Sequence, residues 1–213
     1  MQCITIENLT KKFGKLSVFN KATLQVEEKS IIGITGKNGS GKTTLLKILA
    51  GLLLPDEGSV FIYEKDITKK PVYAKKIVSL SLNSESGFYP QLSVKENLEF
   101  LCLIYKKKIK DIQNYIEILG LEQFLDVKFQ FCSTGMKTKL WFLFSVIKDT
   151  KILLIDELTK SMDFETKSKI YSLIKMLNEE YKKTIIFVSH NPDEIKFLAH
   201  KKLHIENKQI LEL

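Results

Sequence analysis

The spacing of apolar and polar residues divides the chain into strand-like and helix-like segments. CITIENL and ATLQVEEKSIIGIT alternate with a period of two, which is typical of β-strands. KILLID and TIIFVS are short, continuously apolar and rich in β-branched residues, like strands buried on both faces of a parallel sheet. Further predicted strands are GSVFIY, KKIVSLSL and a terminal hairpin of KLHIE with QILEL.

Segments with helical spacing separate these strands. KTTLLKILAGLLL is helical up to Gly51 and Pro55, and FETKSKIYSLIKMLNEEY and PDEIKFLA are helical nearer the C-terminus. From Val94 to Ile147 the periodic segments are all helical, with no convincing strand between them. Strands that alternate with helices predict an α/β fold with a mainly parallel sheet.

The same pattern predicts the domain organisation. We expect one domain over residues 1–213, without linkers or internal repeats. Its core would comprise residues 1–88 and 148–213, with antiparallel strands near the N-terminus. Residues 89–147 would form an inserted all-helical subdomain.

Composition excludes several classes of protein. The longest apolar runs fall well short of the ~18 residues that suggest a membrane span, and the N-terminus lacks the pattern of a signal peptide. The scattered cysteines Cys3, Cys102 and Cys132 predict neither a disulfide framework nor a metal site. We therefore expect a protein of the reducing cytosol.

The net charge is +8, and every basic residue is lysine. A basic balance is compatible with nucleic acid, a membrane surface or phosphate ligands, but an A/T-rich genome with lysine codons explains it more simply. The absence of arginine has a mechanistic consequence. A role that needs a planar, bidentate cation falls to a lysine ammonium or is left empty.

The segment GKNGSGKTT, Gly36 to Thr44, fits the pattern G-x-x-x-x-G-K-[ST] between a predicted strand and a predicted helix. Glycines allow backbone N–H groups to turn toward a phosphate chain, and the helix N-terminus adds a favourable dipole. Lys42 would reach the β- and γ-phosphates, and the Thr43 hydroxyl would ligate Mg²⁺. An idle glycine-rich turn is the alternative, which the flanking strand and helix disfavour.

Polar residues follow the two buried strands. Asp156, at the end of KILLID, would hold Mg²⁺ through water, and Glu157 would orient or deprotonate an attacking water. Alone, a solvated acidic turn would explain this pair equally well. His190 follows TIIFVS, and a histidine there is commonly structural. A strand beside the phosphate loop would, however, direct its imidazole at the γ-phosphate.

Together these segments resemble the ATP-binding cassette (ABC) ATPases, the nucleotide-binding subunits of ABC transporters, over the whole chain. GKNGSGKTT resembles Walker A, ILLIDE resembles Walker B with its following glutamate, and KSMD, Lys160 to Asp163, resembles the D-loop. His190 resembles the switch histidine, and Phe13 stands where the family has an aromatic residue that stacks on adenine. The resemblance implies a P-loop NTPase that binds and hydrolyses ATP with Mg²⁺.

The turn CSTGM falls where this family has its signature, commonly Leu-Ser-Gly-Gly-Gln. The resemblance implies that this helix N-terminus faces the γ-phosphate bound to the other subunit of a head-to-tail dimer. Ser133 and the backbone around Gly135 would contact that phosphate, although the motif's other three positions differ from the family's residues. Its Gly-Met-Lys core resembles exporters of the drug- and bacteriocin-resistance type, whose membrane subunit is a separate chain.

Two further positions depart from the family's pattern. Ser84 stands where the family has its Q-loop glutamine, a magnesium position, and its shorter side chain would need a bridging water or Glu85 in its place. Leu158 replaces the proline that commonly follows the Walker B glutamate. Neither change removes a catalytic group, but both bear on the rate of hydrolysis and on coupling.

The predicted site residues fall into three groups. The catalytic residues are Lys42, Glu157 and His190, and the metal positions are Thr43, Ser84 and Asp156. The predicted nucleotide contacts are Phe13, Gly36, Lys37, Asn38, Gly39, Ser40, Gly41, Lys42, Thr43, Thr44, Ser133 and Gly135.

The resemblance also implies partners. The chain would form a homodimer or heterodimer of ATPase subunits, peripheral on the cytoplasmic face of the membrane. Residues 84–90 would dock a cytoplasmic helix of a separate membrane-spanning subunit, and no nucleic acid partner is expected.

Three other functions fit the sequence less well. The alternative is a non-transport ABC-type ATPase that acts on nucleic acid or ribosomes, to which the basic clusters are suited. A GTPase would need an aspartate that ENKQI lacks. A small-molecule kinase would leave CSTGM and His190 unexplained.

Overall fold

The computed structural model describes residues 1–82, 87–157, 159, 162 and 164–213. The strands are β1 (Gln2–Phe13), β2 (Leu16–Glu27), β3 (Ile31–Gly36), β4 (Glu57–Ile62), β5 (Lys65–Asp66), β6 (Val78–Ser81), β7 (Ile152–Asp156), β8 (Thr184–Val188), β9 (Lys201–Glu206) and β10 (Gln209–Glu212). The helices are α1 (Lys42–Leu49), α2 (Pro71–Ile77), α3 (Val94–Ile104), α4 (Gln113–Ile118), α5 (Thr134–Ile147), α6 (Phe164–Glu179) and α7 (Pro192–Leu198). Short 3₁₀ segments are Ile109–Ile112, Glu122–Phe124 and Phe129–Phe131.

The strands form two sheets. The larger has the order β10-β9-β3-β8-β7-β6 and is parallel except for β10, which pairs antiparallel with β9 at one edge. The smaller, β2-β1-β4-β5, is antiparallel. The predicted mainly parallel sheet, the antiparallel N-terminal strands and the terminal hairpin are thus confirmed. Because β3, β8 and β7 are neighbours, the residues that follow them meet at one edge of the sheet.

Hydrophobic clusters pack on both faces of the larger sheet. Leu153 and Ile155 of β7 join a cluster with α3, α5, α6 and α7. Ile152 and Leu154, which alternate with them, join a second cluster with α1 and the smaller sheet. Successive strand residues point to opposite faces, so a strand covered on both sides needs apolar residues throughout. This burial explains the continuous apolar runs in β7 and β8.

The segment from Val94 to Ile147 is helical, as predicted, and its one β contact among the described residues is an isolated bridge between Ser93 and Lys128. A capping box starts α3: the Glu96 N–H donates to Ser93 Oγ (3.1 Å), and the Ser93 N–H donates to Glu96 Oε2 (2.7 Å). The division into a core and an inserted subdomain stays a prediction. No helix in the described ranges is long and apolar enough to cross a membrane.

Two element boundaries differ from the sequence prediction. Lys75 to Ile77, predicted as the start of a strand, end helix α2, which begins at Pro71, where proline's fixed φ suits a first helical turn. Helix α1 ends at Leu49, before the predicted stop. Gly51 follows it with φ +67°, and a Cβ there would lie 2.7 Å from the Pro71 carbonyl oxygen. The left-handed backbone at Gly51 ends α1, as glycine commonly does just after a helix, and the close approach of α2 leaves no room for a side chain there.

Candidate nucleotide-binding site

The loop between β3 and α1 is an open backbone cradle. Gly41 precedes α1 with φ +108° and supplies no capping side chain, so the first N–H groups of the helix have no side-chain acceptor from the cap residue. A Cβ at Gly41 would lie 2.5 Å from Cγ1 of Val18. Glycine is therefore required for the loop to pack this closely against β2. Gly39, at φ +77°, has open space around its Cα.

Lys42 lies inside this loop. It is buried, with 6% of its surface exposed, and its Nζ donates to the carbonyl oxygens of Gly36 (2.8 Å) and Lys37 (3.0 Å). Ser40 Oγ is the one buried side-chain polar atom without a hydrogen-bond partner among the described residues. A buried ammonium beside a buried hydroxyl without a partner fits a loop built around an anion.

Thr43 and Asp156 form the second part of the site. The Thr43 hydroxyl donates to Asp156 Oδ2 at 2.7 Å, which joins α1 to the end of β7. The Thr43 oxygen keeps a lone pair that could ligate Mg²⁺, and the Asp156 carboxylate beside it could hold the same ion through water. The donor pair therefore fits Mg²⁺. No cluster of three or more His, Cys, Asp or Glu suited to a metal occurs in the described ranges, so phosphate oxygens and water would complete the shell.

The electrostatics of Asp156 reflect its position. Burial raises the pKa of this carboxyl, the hydrogen bond from Thr43 opposes that effect, and the negative charge of Glu157 reinforces it. Lys42 acts in the same direction as Thr43, by attraction. The site holds a carboxylate that is poorly solvated without a cation, and a bound metal would compensate for this.

The side chains of Glu157 and His190 are in direct contact. His190 Nε2 lies 2.8 Å from Glu157 Oε1. The backbone of Glu157 is in the left-handed region, at φ +49°, and its N–H donates to the Val188 carbonyl at 3.2 Å. Asp156 pairs with Val188 in the sheet, so residues just after β7 and β8 lie side by side. The sequence placed both residues at this edge but did not predict their direct contact.

A cavity of about 340 Å³ lies beside Glu157 and His190. It brings the phosphate loop together with the ends of β7 and β8. Its lining residues are Asn38, Glu157, Thr159, Lys167, Ser189, His190, Asn191 and Glu194. Thr159, Lys167, Ser189, Asn191 and Glu194 were missed by the sequence reasoning. The one available signal was their closeness in sequence to Glu157 and His190.

The CSTGM turn lies elsewhere. Ser133 caps α5, and its Oγ accepts the Met136 N–H at 3.2 Å. A Cβ added to Gly135 would meet only Ser133 Oγ, at 4.0 Å. No residue of this turn is among those that line the cavity in the described part of the chain. The turn is a helix start open to solvent, and its role as a phosphate contact stays a prediction.

The remaining predicted residues have different outcomes. Phe13 ends β1 with 48% of its surface exposed, and Lys11 Nζ lies 5.4 Å from its ring centroid. Its adenine-stacking role stays a prediction. Ser84 and Glu85 lie outside the described residues, as do Leu158 and three of the four D-loop positions.

A first prediction concerns the metal pair. Thr43→Ala and Asp156→Asn should each weaken Mg²⁺-dependent ATP binding by at least about 10-fold, because the first removes a hydroxyl ligand and the second removes the negative charge that would hold the ion. The control is ATP affinity with EDTA, which should change little. Burial raises the pKa of Asp156 in the folded protein, so the folded state is stabilised relative to the unfolded state while this carboxyl is protonated. That stabilisation is lost as pH rises through the folded-state pKa. Asp156→Asn should therefore raise Tm at neutral pH without nucleotide. Wild-type MgATP affinity in both variants would contradict the assignment.

Comparisons with known proteins agree with this geometry. The family model described as ABC transporter matches residues 19–160. The chain is 29% identical to the probable sulfate/thiosulfate import ATP-binding protein CysA of Chlorella vulgaris, over 99% of this chain and 90% of that one. It is 32% identical to the bacitracin transport ATP-binding protein BcrA of Enterococcus faecalis, over 92% of this chain and 64% of that one.

Solved structures give the same fold. The dimeric ATP-binding cassette MJ0796, in a post-hydrolysis state bound to ADP and Pi, superposes with a TM-score of 0.85 at 24% identity, over 99% of this chain and 97% of that one. The phosphate loop, the Thr43–Asp156 pair and the parallel sheet define a P-loop nucleotide-binding protein. The chain belongs to the ABC transporter family, which confirms the resemblance seen in the sequence. It is an ATP-binding subunit of the ABC type and an ATPase.

Proposed function

We propose that this chain hydrolyses MgATP at the Lys42, Thr43, Asp156, Glu157 and His190 site and thereby powers a separate membrane-spanning exporter subunit. The observation that carries the proposal is the meeting of three groups at one sheet edge. The buried Lys42 ammonium, the Thr43–Asp156 pair at 2.7 Å and the Glu157–His190 pair at 2.8 Å lie after adjacent strands. Phosphoryl transfer to water needs a phosphate cradle, a metal site and a base together.

Each residue has a defined part in this proposal. The loop N–H groups and Lys42 bind the phosphates, and a bound Mg²⁺ would neutralise charge on them. Glu157 accepts a proton from the attacking water at its carboxylate. His190, 2.8 Å from Glu157 Oε1, fixes the direction of that carboxylate. An imidazole N–H can also donate to the γ-phosphate when nucleotide binds.

Dimerisation completes the proposed site. Ser133 and Gly135 lie at the solvent-accessible N-terminus of α5, away from their own chain's cavity, so in this arrangement they act on nucleotide held by a second subunit. Helix N-termini bind anions through free N–H groups and the helix dipole. The cassette MJ0796 has dimeric solved structures, which supports the proposal of a head-to-tail dimer.

An apolar groove supports a membrane partner. It has a volume of about 390 Å³. Tyr89, Phe100 and Ile104 in its lining are 51%, 38% and 52% exposed, and Leu103 beside them is 75% exposed. The lining residues are Gly87, Phe88, Tyr89, Phe100, Leu101, Ile104, Tyr105 and Phe144. Gly87, Phe88 and Tyr89 belong to the predicted docking stretch 84–90, so we propose that a cytoplasmic helix of the membrane-spanning subunit binds here and holds the chain at the membrane.

A second prediction tests this groove. Ile104→Glu should reduce co-purification with the membrane-spanning subunit at least about 10-fold, because a charge would replace an apolar contact at a desolvated interface. Basal ATP hydrolysis should change less than about 2-fold, since the side chain lies outside the nucleotide cavity. The matched control is Leu211→Glu, an exposed leucine on edge strand β10 at the opposite side of the sheet. Equal loss of association in both variants would contradict the docking site.

The direction of transport is the finer part of the proposal. The Gly-Met-Lys core of the signature and the similarity to the bacitracin transport protein favour export. Similarity to a sulfate/thiosulfate import protein points the other way, so the direction needs its own test. Replacing the chromosomal copy with Lys42→Ala should sensitise the source cells to an exported peptide antibiotic, with bacitracin as the first probe. Unchanged sensitivity together with lost sulfate uptake would indicate an importer.

A further inference from the structure

A buried carboxylate lies behind Glu157 and His190. Glu194, in α7, has only 5% of its surface exposed. Its Oε1 and Oε2 accept the Thr159 hydroxyl at 3.0 and 2.9 Å, and Oε2 also accepts the Ser189 hydroxyl at 2.6 Å. One side chain thus joins two segments that are 30 positions apart along the chain.

The positions of the two hydroxyls are informative. Thr159 comes two residues after Glu157, and Ser189 immediately precedes His190. Glu194 therefore ties together the segments that carry the base and the histidine. Glu157 needs such support, because its φ of +49° is unfavourable for a residue with a side chain. Strained backbone of this kind persists where the surrounding structure over-determines it.

Fold stability alone gives no reason for this carboxylate. Burial of a charged group is costly unless hydrogen bonds compensate, and an apolar residue of similar volume is commonly as good or better for stability. The Glu194 carboxylate is matched by hydroxyl donors rather than by a cation in these contacts. Directional hydrogen bonds fix geometry more sharply than apolar packing does.

We propose that Glu194 is a positioning residue for ATP hydrolysis. It holds Thr159 and Ser189 and, through them, sets the 2.8 Å contact between Glu157 and His190. The inference rests on the proposed role of Glu157. Misplacement of reacting groups by about 1 Å costs on the order of 10²-fold in rate, so loss of the Glu194 hydrogen bonds lowers kcat.

The test compares wild type with four variants that alter the hydrogen bonds between Glu194, Thr159 and Ser189. Thr159→Val and Ser189→Ala each remove one hydroxyl donor. Glu194→Leu removes both carboxylate acceptors at similar volume, and Glu194→Gln keeps an oxygen that can accept from both hydroxyls. We expect kcat to fall about 10-fold in the first three variants, with KM for ATP within about 2-fold. Glu194→Gln should recover most of the lost kcat. Combining Thr159→Val with Glu194→Leu should add little, because both remove the same contact.

Two controls make the result specific. Ser145→Ala removes an equally buried hydroxyl, 2% exposed and donating to the Phe142 carbonyl at 2.6 Å, and should leave kcat per folded molecule unchanged. Glu157→Gln is measured in parallel. If that variant hydrolyses ATP normally, the proposed role of Glu157 is contradicted, and not the positioning role of Glu194 by itself. Wild-type kcat in Glu194→Leu, or equal slowing by Glu194→Gln and Glu194→Leu, would overturn the proposal for Glu194.

Discussion

Replacing Glu157 with glutamine is expected to lower ATP hydrolysis by roughly 10²-fold or more, the usual scale for loss of a general base. The amide retains the size of the side chain and an oxygen that can accept from His190 Nε2, now 2.8 Å from Oε1. It cannot take the proton of the attacking water. ATP binding should survive, because the phosphate loop and the Thr43–Asp156 pair are unchanged.

The consequence of binding without turnover is an ATP-bound dimer that accumulates. Size exclusion with and without MgATP, beside a phosphate-release assay, measures both effects. Glu165→Gln is the matched control, since Glu165 is an acidic residue in the first turn of α6 that pairs with Lys169 at 2.7 Å and is absent from the cavity lining. Hydrolysis by Glu157→Gln at near the wild-type rate would assign water activation to another group.

The positions of Asp156, Glu157 and His190 were predictable because they follow a simple rule. Residues after neighbouring parallel strands meet at one sheet edge, so Asp156 and His190 could be placed beside the phosphate loop from strand order alone. The structure agrees with this rule: Thr43 and Asp156, 113 positions apart in the sequence, are in contact at 2.7 Å.

Glu194 was not predictable in the same way. It lies in PDEIKFLA, where an acidic residue in the first turn of a helix is expected to face solvent near the positive dipole end. Its burial depends on how α7 packs against β3, which brings Glu194 to Thr159 and Ser189, and no local pattern encodes that packing. The boundary between α2 and β6 was missed for a related reason. KKIVSLSL contains strand-forming residues, but the turn set by Pro71 carries the helix through Ile77.

Gly135→Asp is expected to abolish ATP hydrolysis while leaving ATP binding by the monomer nearly unchanged. A Cβ at Gly135 would meet only Ser133 Oγ, at 4.0 Å, so the substitution fits sterically. An acidic side chain in the first turn of α5 is also favourable to the helix dipole. The fold should therefore persist. If CSTGM contacts the γ-phosphate of the other subunit, aspartate adds bulk and a like charge against a polyanion.

We expect near-normal ATP affinity in the Gly135→Asp monomer, together with loss of ATP-driven dimerisation and hydrolysis. Gly135→Asn is the matched control: it has the same size without the charge and should lose less. Gly135→Asp added to Glu157→Gln should also abolish the trapped dimer. Loss of ATP binding by the Gly135→Asp monomer would place the turn in its own chain's site.

Mixing Gly135→Asp with Lys42→Ala chains decides whether the turn acts in trans. In a homodimer each site would combine the phosphate loop of one subunit with the CSTGM turn of the other. The mixed dimer then has one site that carries both lesions and one that carries neither. Mixing equal amounts should restore a measurable part of the wild-type rate if each site turns over independently, because only the mixed dimer contains an intact site. If the turn served its own chain, both sites of the mixed dimer would be damaged. Mixing would then restore nothing, because no composite site would combine an intact loop with an intact turn.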